Sequence, residues 1–220
     1  METIAASPLR DRLLLTAREK VEAEGPEALR ARSLTAQVGT STQSLYTHFG
    51  GMPGLIDALV ADGFDEFARF VDAIPETDDP VADFFARGWG YSEWALAHPQ
   101  LYRLMYGLIG GGLRHHAGLE VALAGGVGNS PQAQRSVDVL IDSMRRVTES
   151  GRIRPTEPVL AAGQFLSATH GWVLLEVGGL FGSSEDGRTL IAALAINLMV
   201  GLGDAPERAS ESLRKALGSH

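Results

Sequence analysis

One stretch near the N-terminus constrains this chain more than any other: Leu34-Thr-Ala-Gln-Val-Gly-Thr-Ser-Thr-Gln-Ser-Leu-Tyr-Thr-His-Phe49. It reads as the end of one helix, a glycine turn, a second helix and an aromatic finish. Leu34, Val38, Leu45 and Phe49 can share one small core. Gly39 stands where the chain must reverse, and glycine tolerates the left-handed conformation that closes a helix. Ser41 reads as the N-cap, its hydroxyl accepting a free backbone N–H of the next helix. Thr42, Gln43 and Ser44 are then left on the first turn, short polar groups directed outward. Two helices joined by a tight glycine turn, the second with a polar N-terminus, follow the helix-turn-helix plan for reading a DNA major groove.

Composition frames that stretch. Hydrophobic residues make up 45% and charged residues 21% of the 220, enough for a packed core and too apolar for global disorder. The absence of cysteine excludes disulfides, iron–sulfur clusters and thiolate zinc sites. A formal charge of −8 argues at first against a nucleic-acid partner. Its distribution softens that: residues 1–50 hold six basic and six acidic residues, so all the excess acid lies beyond them. A neutral head on an acidic body still binds DNA if its cations face phosphates, with an affinity that falls as salt rises. Met1 is followed by Glu-Thr-Ile-Ala-Ala-Ser-Pro, not by a basic segment and an apolar core, so no signal peptide is read. The most apolar run, Leu190 to Leu202, is broken by Asn197 and falls short of the ~20 residues that span a bilayer. The sequence thus predicts a cytoplasmic protein without a membrane partner.

Hydrophobic periodicity places helices throughout. The first runs from Pro8 to Glu24, with Leu9, Leu13, Leu14, Ala17 and Val21 inward. Arg10, Arg12, Arg18 and Lys20 on its other side are either phosphate contacts or a solvated face. A second helix spans Glu27–Val38 and carries Arg30 and Arg32. After Gly50-Gly51, a long amphipathic helix runs from Met52 to Ile74 with Leu55, Ile56, Leu59, Val60, Phe64, Phe67, Phe70 and Val71 in its apolar stripe, the length of a connector. Pro75 through Pro80 makes a turn with an N-cap for a helix over Val81–Ala97. Pro99 begins a short helix, and the glycine-rich run 107–130 reads as loops around another. A capped helix resumes at Ser130-Pro131 and ends at Gly151. Two helices, Glu157–Phe181 and Asp186–Leu202, are apolar around most of their circumference, which calls for cover from a partner subunit. The tail from Pro206 reads as a short polar surface helix. The fold class is all-α: an N-terminal three-helix helix-turn-helix domain (1–51) joined by a long connector helix (52–74) to a larger helical ligand-binding and dimerisation domain (52–220).

Catalytic signatures are lacking. There is no Gly-x-Ser-x-Gly elbow and no P-loop, and Gly125-Gly126-Val-Gly128 lacks the third glycine and preceding strand of a dinucleotide site. His115 and His116, with Glu120, read as a surface pair in place of a metal site. No metal and no cofactor is expected. His170 and Glu176 lie in the apolar stretch around Trp172, where burial without a partner costs several kcal/mol or shifts a pKa. Each is a satisfied core contact, a subunit-packing group or a polar anchor in a ligand cavity. An all-α enzyme using these two as acid and base is one rival reading, and a structural helical dimer without DNA binding is another.

The run from Gly25 to about Leu59 resembles the TetR family of transcriptional regulators, through Leu34–Gly39, Ser41, Ser44-Leu-Tyr46-x-His48-Phe49, Met52 and Leu55. The C-terminal part looks like the variant named for a Trp/His/Gly motif, through His98-Pro99-Gln-Leu-Tyr102 and Ala168-Thr-His-Gly171-Trp-Val-Leu-Leu-Glu176. The resemblance implies that Arg32 reads a base from the second helix, an arginine being suited to guanine. It gives Thr42, Gln43 and Ser44 to the recognition helix, and Tyr46 and His48 to phosphates. Met52 stands where a phosphate-clamping lysine is usual, so one ionic contact is missing.

A homodimer on a double-stranded DNA operator is implied too, with a small-molecule effector in the body of each subunit. Trp89, Tyr102, Met105, Tyr106 and Met144 are candidate ligand contacts, joined by Phe165, Thr169, His170 and Trp172, since cavities in helical bundles are apolar with a few polar groups. Glu176, Leu190, Leu194 and Asn197 are the candidate dimer interface, in a four-helix bundle. The expected function is that of a sequence-specific DNA-binding transcriptional regulator, a repressor released by a small, mostly apolar ligand, and not an enzyme.

Overall fold

A computed structural model describes residues 8–106, 131–181 and 184–218. The glycine-rich run 107–130, with its histidine pair and the Gly125 cluster, lies outside these residues. Among the described residues the protein is all-α, with ten α-helices, one 3₁₀ turn and no strand. They group into two compact units, 8–66 with 98–106 and 67–97 with 131–181 and 184–218. None of the helices of the described residues is long and apolar enough to cross a membrane.

In the first unit, α1 (Leu9–Glu24) buries Leu13, Ala17 and Val21 at four-residue spacing. Gly25 ends it at a φ of +86°, donating its N–H to Val21. The second helix starts later than periodicity indicates. Pro26–Ala28 forms a 3₁₀ turn, Leu29 and Arg30 are extended, and α2 spans Ala31–Val38. Leu29 must turn into the core, where it is 7% exposed, and a continuous helix from Glu27 would not allow the extended backbone found there. Gly39, at a φ of +74°, closes α2 in the left-handed conformation expected of it.

The cap of α3 (Gln43–Phe49) also differs from expectation. Ser41 offers its carbonyl, not its hydroxyl, to the Ser44 N–H at 3.0 Å, and no side chain caps the helix. The turn is instead tied by a 2.7 Å bond between the Thr40 and Ser44 hydroxyls. α4 (Met52–Asp72) follows directly. α6 (Pro99–Met105) packs on α1, with Tyr102 against Tyr106 and Tyr106 edge-on to Phe64.

The second unit contains the end of α4, then α5 (Pro80–Ala97), α7 (Pro131–Glu149), α8 (Pro158–Val177), α9 (Ser184–Leu202) and α10 (Pro206–Gly218). Asp79 supplies the anticipated N-cap of α5, accepting the Ala82 N–H at 3.1 Å. α7, α8 and α10 all pack on α5, around Phe84, Phe85, Met144, Val147, Phe165 and Met199. α8 stops short of Phe181 because Gly178 and Gly179 interrupt it, Gly179 at a φ of +73°.

The tail is more than the polar surface helix read from sequence. Ala209, Ser212, Leu213 and Ala216 are buried at helical spacing, and this stripe packs against α5. Arg152 anchors the same end, bidentate on Asp204 at 2.9 and 2.6 Å and bonded to Asp79 at 3.2 Å. Burial would raise the Asp79 carboxyl, but hydrogen bonds from the Ala82 N–H, Ser212 and Lys215, with the Arg152 charge, hold it below the usual range. A cleft of about 720 Å³ beside this network is lined by Asp79, Arg152, Arg208, Ser212 and Lys215, among others.

Candidate functional site

In the first unit, the turn between α2 and α3 presents short polar and aromatic groups to solvent. Arg32, Thr42, Gln43, Tyr46 and His48 are exposed, Tyr46 at 66% of its full area. Ser44 is half-buried by its bond to Thr40. Leu34, Val38 and Leu45 face inward on the same two helices and hold that display in place.

The cations sort themselves by what they touch. Arg10 lies over the Phe49 ring at 5.2 Å, and Arg12 donates to the Val38 carbonyl at 2.6 Å. Arg18 pairs with Asp62 and Glu66, Lys20 pairs with Glu24, and Arg30 donates to the carbonyls of Glu27 and Leu29. Hydrogen bonding to Glu66 raises the Arg18 guanidinium above its ordinary value, against the lowering effect of burial. Among the described residues, Arg32 alone of the six basic residues in 1–50 carries no internal partner. Met52, half-buried, begins α4, and Pro53 removes one of the backbone N–H groups there.

The proposed ligand contacts fall in both units, and each set has its own surroundings. In the first, Tyr102 and Met105 are buried and Tyr106 half-buried, and the sulfur of Met105 lies close against Gly63. In the second, Met144 and Phe165 are core, Phe165 packing edge-on to Phe84 with ring centres 4.9 Å apart. Trp89 is half-buried beneath the Arg188 guanidinium, 5.8 Å from its ring centre. Thr169 and His170 are half-buried, and His170 Nδ1 meets the Tyr91 hydroxyl at 3.2 Å. Burial pushes the His170 imidazole below its ordinary value.

Two features escaped the sequence reading. One is Arg12 on the Val38 carbonyl, since no local pattern marks a contact between α1 and the end of α2. The other involves Trp172, Glu176 and Gly187. Trp172 is 5% exposed, and among the described residues neither its indole Nε1 nor the buried Oε2 of Glu176 has a hydrogen-bond partner. Leu190, Leu194 and Asn197 of the candidate dimer face are exposed.

Residues 84–198, more than half of the chain, match the family model described as tetracyclin repressor-like, C-terminal domain. No curated protein is significantly similar in sequence. Among solved structures, a Rhodococcus sp. RHA1 protein of unknown function is 24% identical, with a TM-score of 0.73 over 93% of this chain and 100% of its own. RolR in complex with resorcinol is 16% identical, with a TM-score of 0.65 over 93% of this chain and 92% of RolR. A TetR-family transcriptional regulator from Rhodococcus sp. is 20% identical, with a TM-score of 0.61 over 88% of this chain and 100% of its own. These likenesses carry the fold, the domain match carries the lineage, and the chain belongs to the TetR family of transcriptional regulators.

Proposed function

We propose that this regulator is a dimeric repressor that reads an operator through α2 and α3 and leaves it when a small, mostly apolar ligand occupies its body. The observation that carries the reading is Arg32, an exposed guanidinium on α2 without an internal partner among the described residues, with Thr42, Gln43, Tyr46 and His48 exposed on the adjoining turn and α3. Arg32 and Gln43 would read base edges, and Tyr46 and His48 would meet phosphates. With Met52 in place of a lysine, little ionic grip is added at the start of α4. α4 is one continuous helix from the DNA-reading unit into the body and is the natural route for a ligand signal. A ligand shifts that equilibrium only by its differential affinity for the two states.

The body suits a small ligand, in keeping with the resorcinol held by RolR. Its polar groups do not suit acid–base catalysis. His170 and Glu176 are six residues apart on α8, about 120° around the helix, and Glu176 Oε2 has no hydrogen-bond partner, His170 included. We read the protein as a regulator without enzymatic activity, residing in the cytoplasm.

The test is binding to the DNA flanking its own gene at two salt concentrations. Arg32→Ala should lower affinity by about 1–3 kcal/mol with relaxed sequence preference, and Tyr46→Phe should lower it without changing preference. A parent protein with no sequence-preferring binding at low salt would overturn the reading.

A further inference from the structure

Buried donors and acceptors are nearly always paired, and an orphan costs about 1–3 kcal/mol. Two orphans here lie together. Trp172 and Glu176 are one turn apart on α8 and share a face. A carbon built on Gly187 of α9 would lie 2.5 Å from Glu176 Oε2, 3.3 Å from Trp172 Nε1 and 3.2 Å from Phe181 Cδ2. The two polar atoms are therefore at most 5.8 Å apart, those first two distances laid end to end. Neither has a hydrogen-bond partner among the described residues. A side chain on residue 187 would displace them, and glycine leaves room for both against the α9 backbone.

The pair specifies what it lacks. An indole N–H only donates, and a carboxylate oxygen only accepts. The missing group must accept from one and donate to the other. An ammonium cannot accept, and a carboxylate or phosphate would be repelled by Glu176. One hydroxyl oxygen does both, and at bond lengths of about 2.7–3.0 Å it bridges atoms of this separation. The rest of the setting is aromatic, with the Phe181 edge and the Trp172 ring beside it.

We propose that Trp172 and Glu176 anchor a single hydroxyl of the effector, and that the effector is a neutral hydroxylated aromatic of the phenol class. A phenol donates more strongly to a carboxylate than an alkanol does, and its ring matches the apolar walls. The proposal rests on the reading of the body as an effector domain. It assigns to Glu176 an inward role, whatever its exposed atoms meet at the dimer face.

The experiment is calorimetric titration of the full chain with phenol, with anisole, which accepts but cannot donate, and with toluene, which does neither. Phenol should bind about tenfold more tightly than anisole, the ratio expected for the one bond to Glu176 that anisole cannot make, and about a hundredfold more tightly than toluene, which makes neither bond. Glu176→Met should lose about tenfold in phenol affinity with little change for toluene, and Trp172→Phe should lose more in phenol affinity than in toluene affinity. The unliganded thermal midpoint of Glu176→Met should equal or exceed the parent's, because it removes an unpaired buried oxygen. Equal affinity of the parent for all three probes, or no binding of phenol, overturns the proposal and leaves the pair holding an ordered water only. Should a variant fail to fold, the parent's phenol-to-anisole ratio decides alone. DNA binding is read separately. A parent that binds DNA but not phenol loses only this site, and one that binds phenol but no DNA loses the repressor reading and keeps the site.

Discussion

Arg12 donates from Nη2 to the carbonyl oxygen of Val38 at 2.6 Å, so that the first helix caps the last turn of the second. The final carbonyls of a helix have no partner of their own, and a cation there also meets the negative end of the helix dipole. The bond fixes α2 beside α1 just before Gly39 turns the chain into α3. Arg12→Ala should cost about 1.5–3 kcal/mol, the range for a hydrogen bond to a charged group, read as a lower urea midpoint at unchanged slope. Arg12→Lys should recover part of it. An unchanged midpoint in the alanine variant would show that solvent takes over the carbonyl without loss.

Glycines give a sharper contrast. A side-chain carbon on Gly54 would lie 1.7 Å from the carbonyl oxygen of Phe49, whereas one on Gly88 would meet nothing within 4 Å. Gly54 is thus the point where α4 passes hard against the end of α3. Gly54→Ala should destabilise by about 3 kcal/mol or more, in the tail of single-substitution effects. Gly88→Ala, in the middle of α5, should stabilise by about 0.5–1 kcal/mol, through helix propensity. Thermal melts of the two variants check both signs.

Asp204 and Arg152 form the most buried ion pair among the described residues, with side chains 1% and 8% exposed. Hydrogen bonding to Asp204 raises the Arg152 guanidinium above its ordinary value, against the lowering effect of burial. Removing Asp204 takes away the bidentate partner and leaves Arg152 with Asp79 and Ser212. Asp204→Ala should cost about 1.5–3 kcal/mol, the range for lost hydrogen bonds to a charged group, and should loosen the packing of α10 on α5, seen as faster amide exchange in α10.

That pair also shows where sequence stopped. The stripe of Leu13, Ala17 and Val21, the closure by Gly39 and the all-helical body were legible because each depends on local spacing or backbone geometry. The late start of α2 was not, because Leu29 obeys the core and not the helical period. Nor was the inward stripe of α10 seen as core, since Ala209, Ser212 and Ala216 are small and read as surface without knowledge of α5. Among site residues, the exposure of Thr42 and Gln43 followed from the turn, whereas Ser44, expected outward with them, is half-buried by its bond to Thr40. The orphaned Trp172 and Glu176 were not legible, because their isolation depends on a glycine in another helix.

His170 gives the pH dependence. Burial lowers its pKa in the folded chain, so between that value and about 6.5 the unfolded state binds more protons. Its contribution to stability is complete above about pH 6.5 and is lost as pH falls below it. His170→Gln retains a partner for Tyr91 and removes the titration. The parent's urea midpoint should drop more steeply than the variant's between about pH 7 and 5.5. Parallel curves would assign the slope to other groups.

The dimer prediction turns on which face of α9 is which. Leu190 and Leu194 are 52% and 37% exposed, and Asn197 continues the same face, while Ile191 and Met199 are buried. Ile196 packs against the core of its own unit. On α8, Leu160 and Leu175 are 53% and 45% exposed. Apolar side chains of this size on two adjacent helices mark a surface that another protein covers, and a second copy of the same pair completes a four-helix bundle. Leu190→Glu and Leu194→Glu should therefore lower the sedimentation coefficient to that of a monomer and leave the helical circular dichroism intact. Operator affinity should fall with it, because each head alone reads one half-site. Ile196→Glu should act differently, lowering the thermal midpoint by burying a charge in the subunit core. If both leucine variants sediment as the parent does, α8 and α9 do not form the dimer contact.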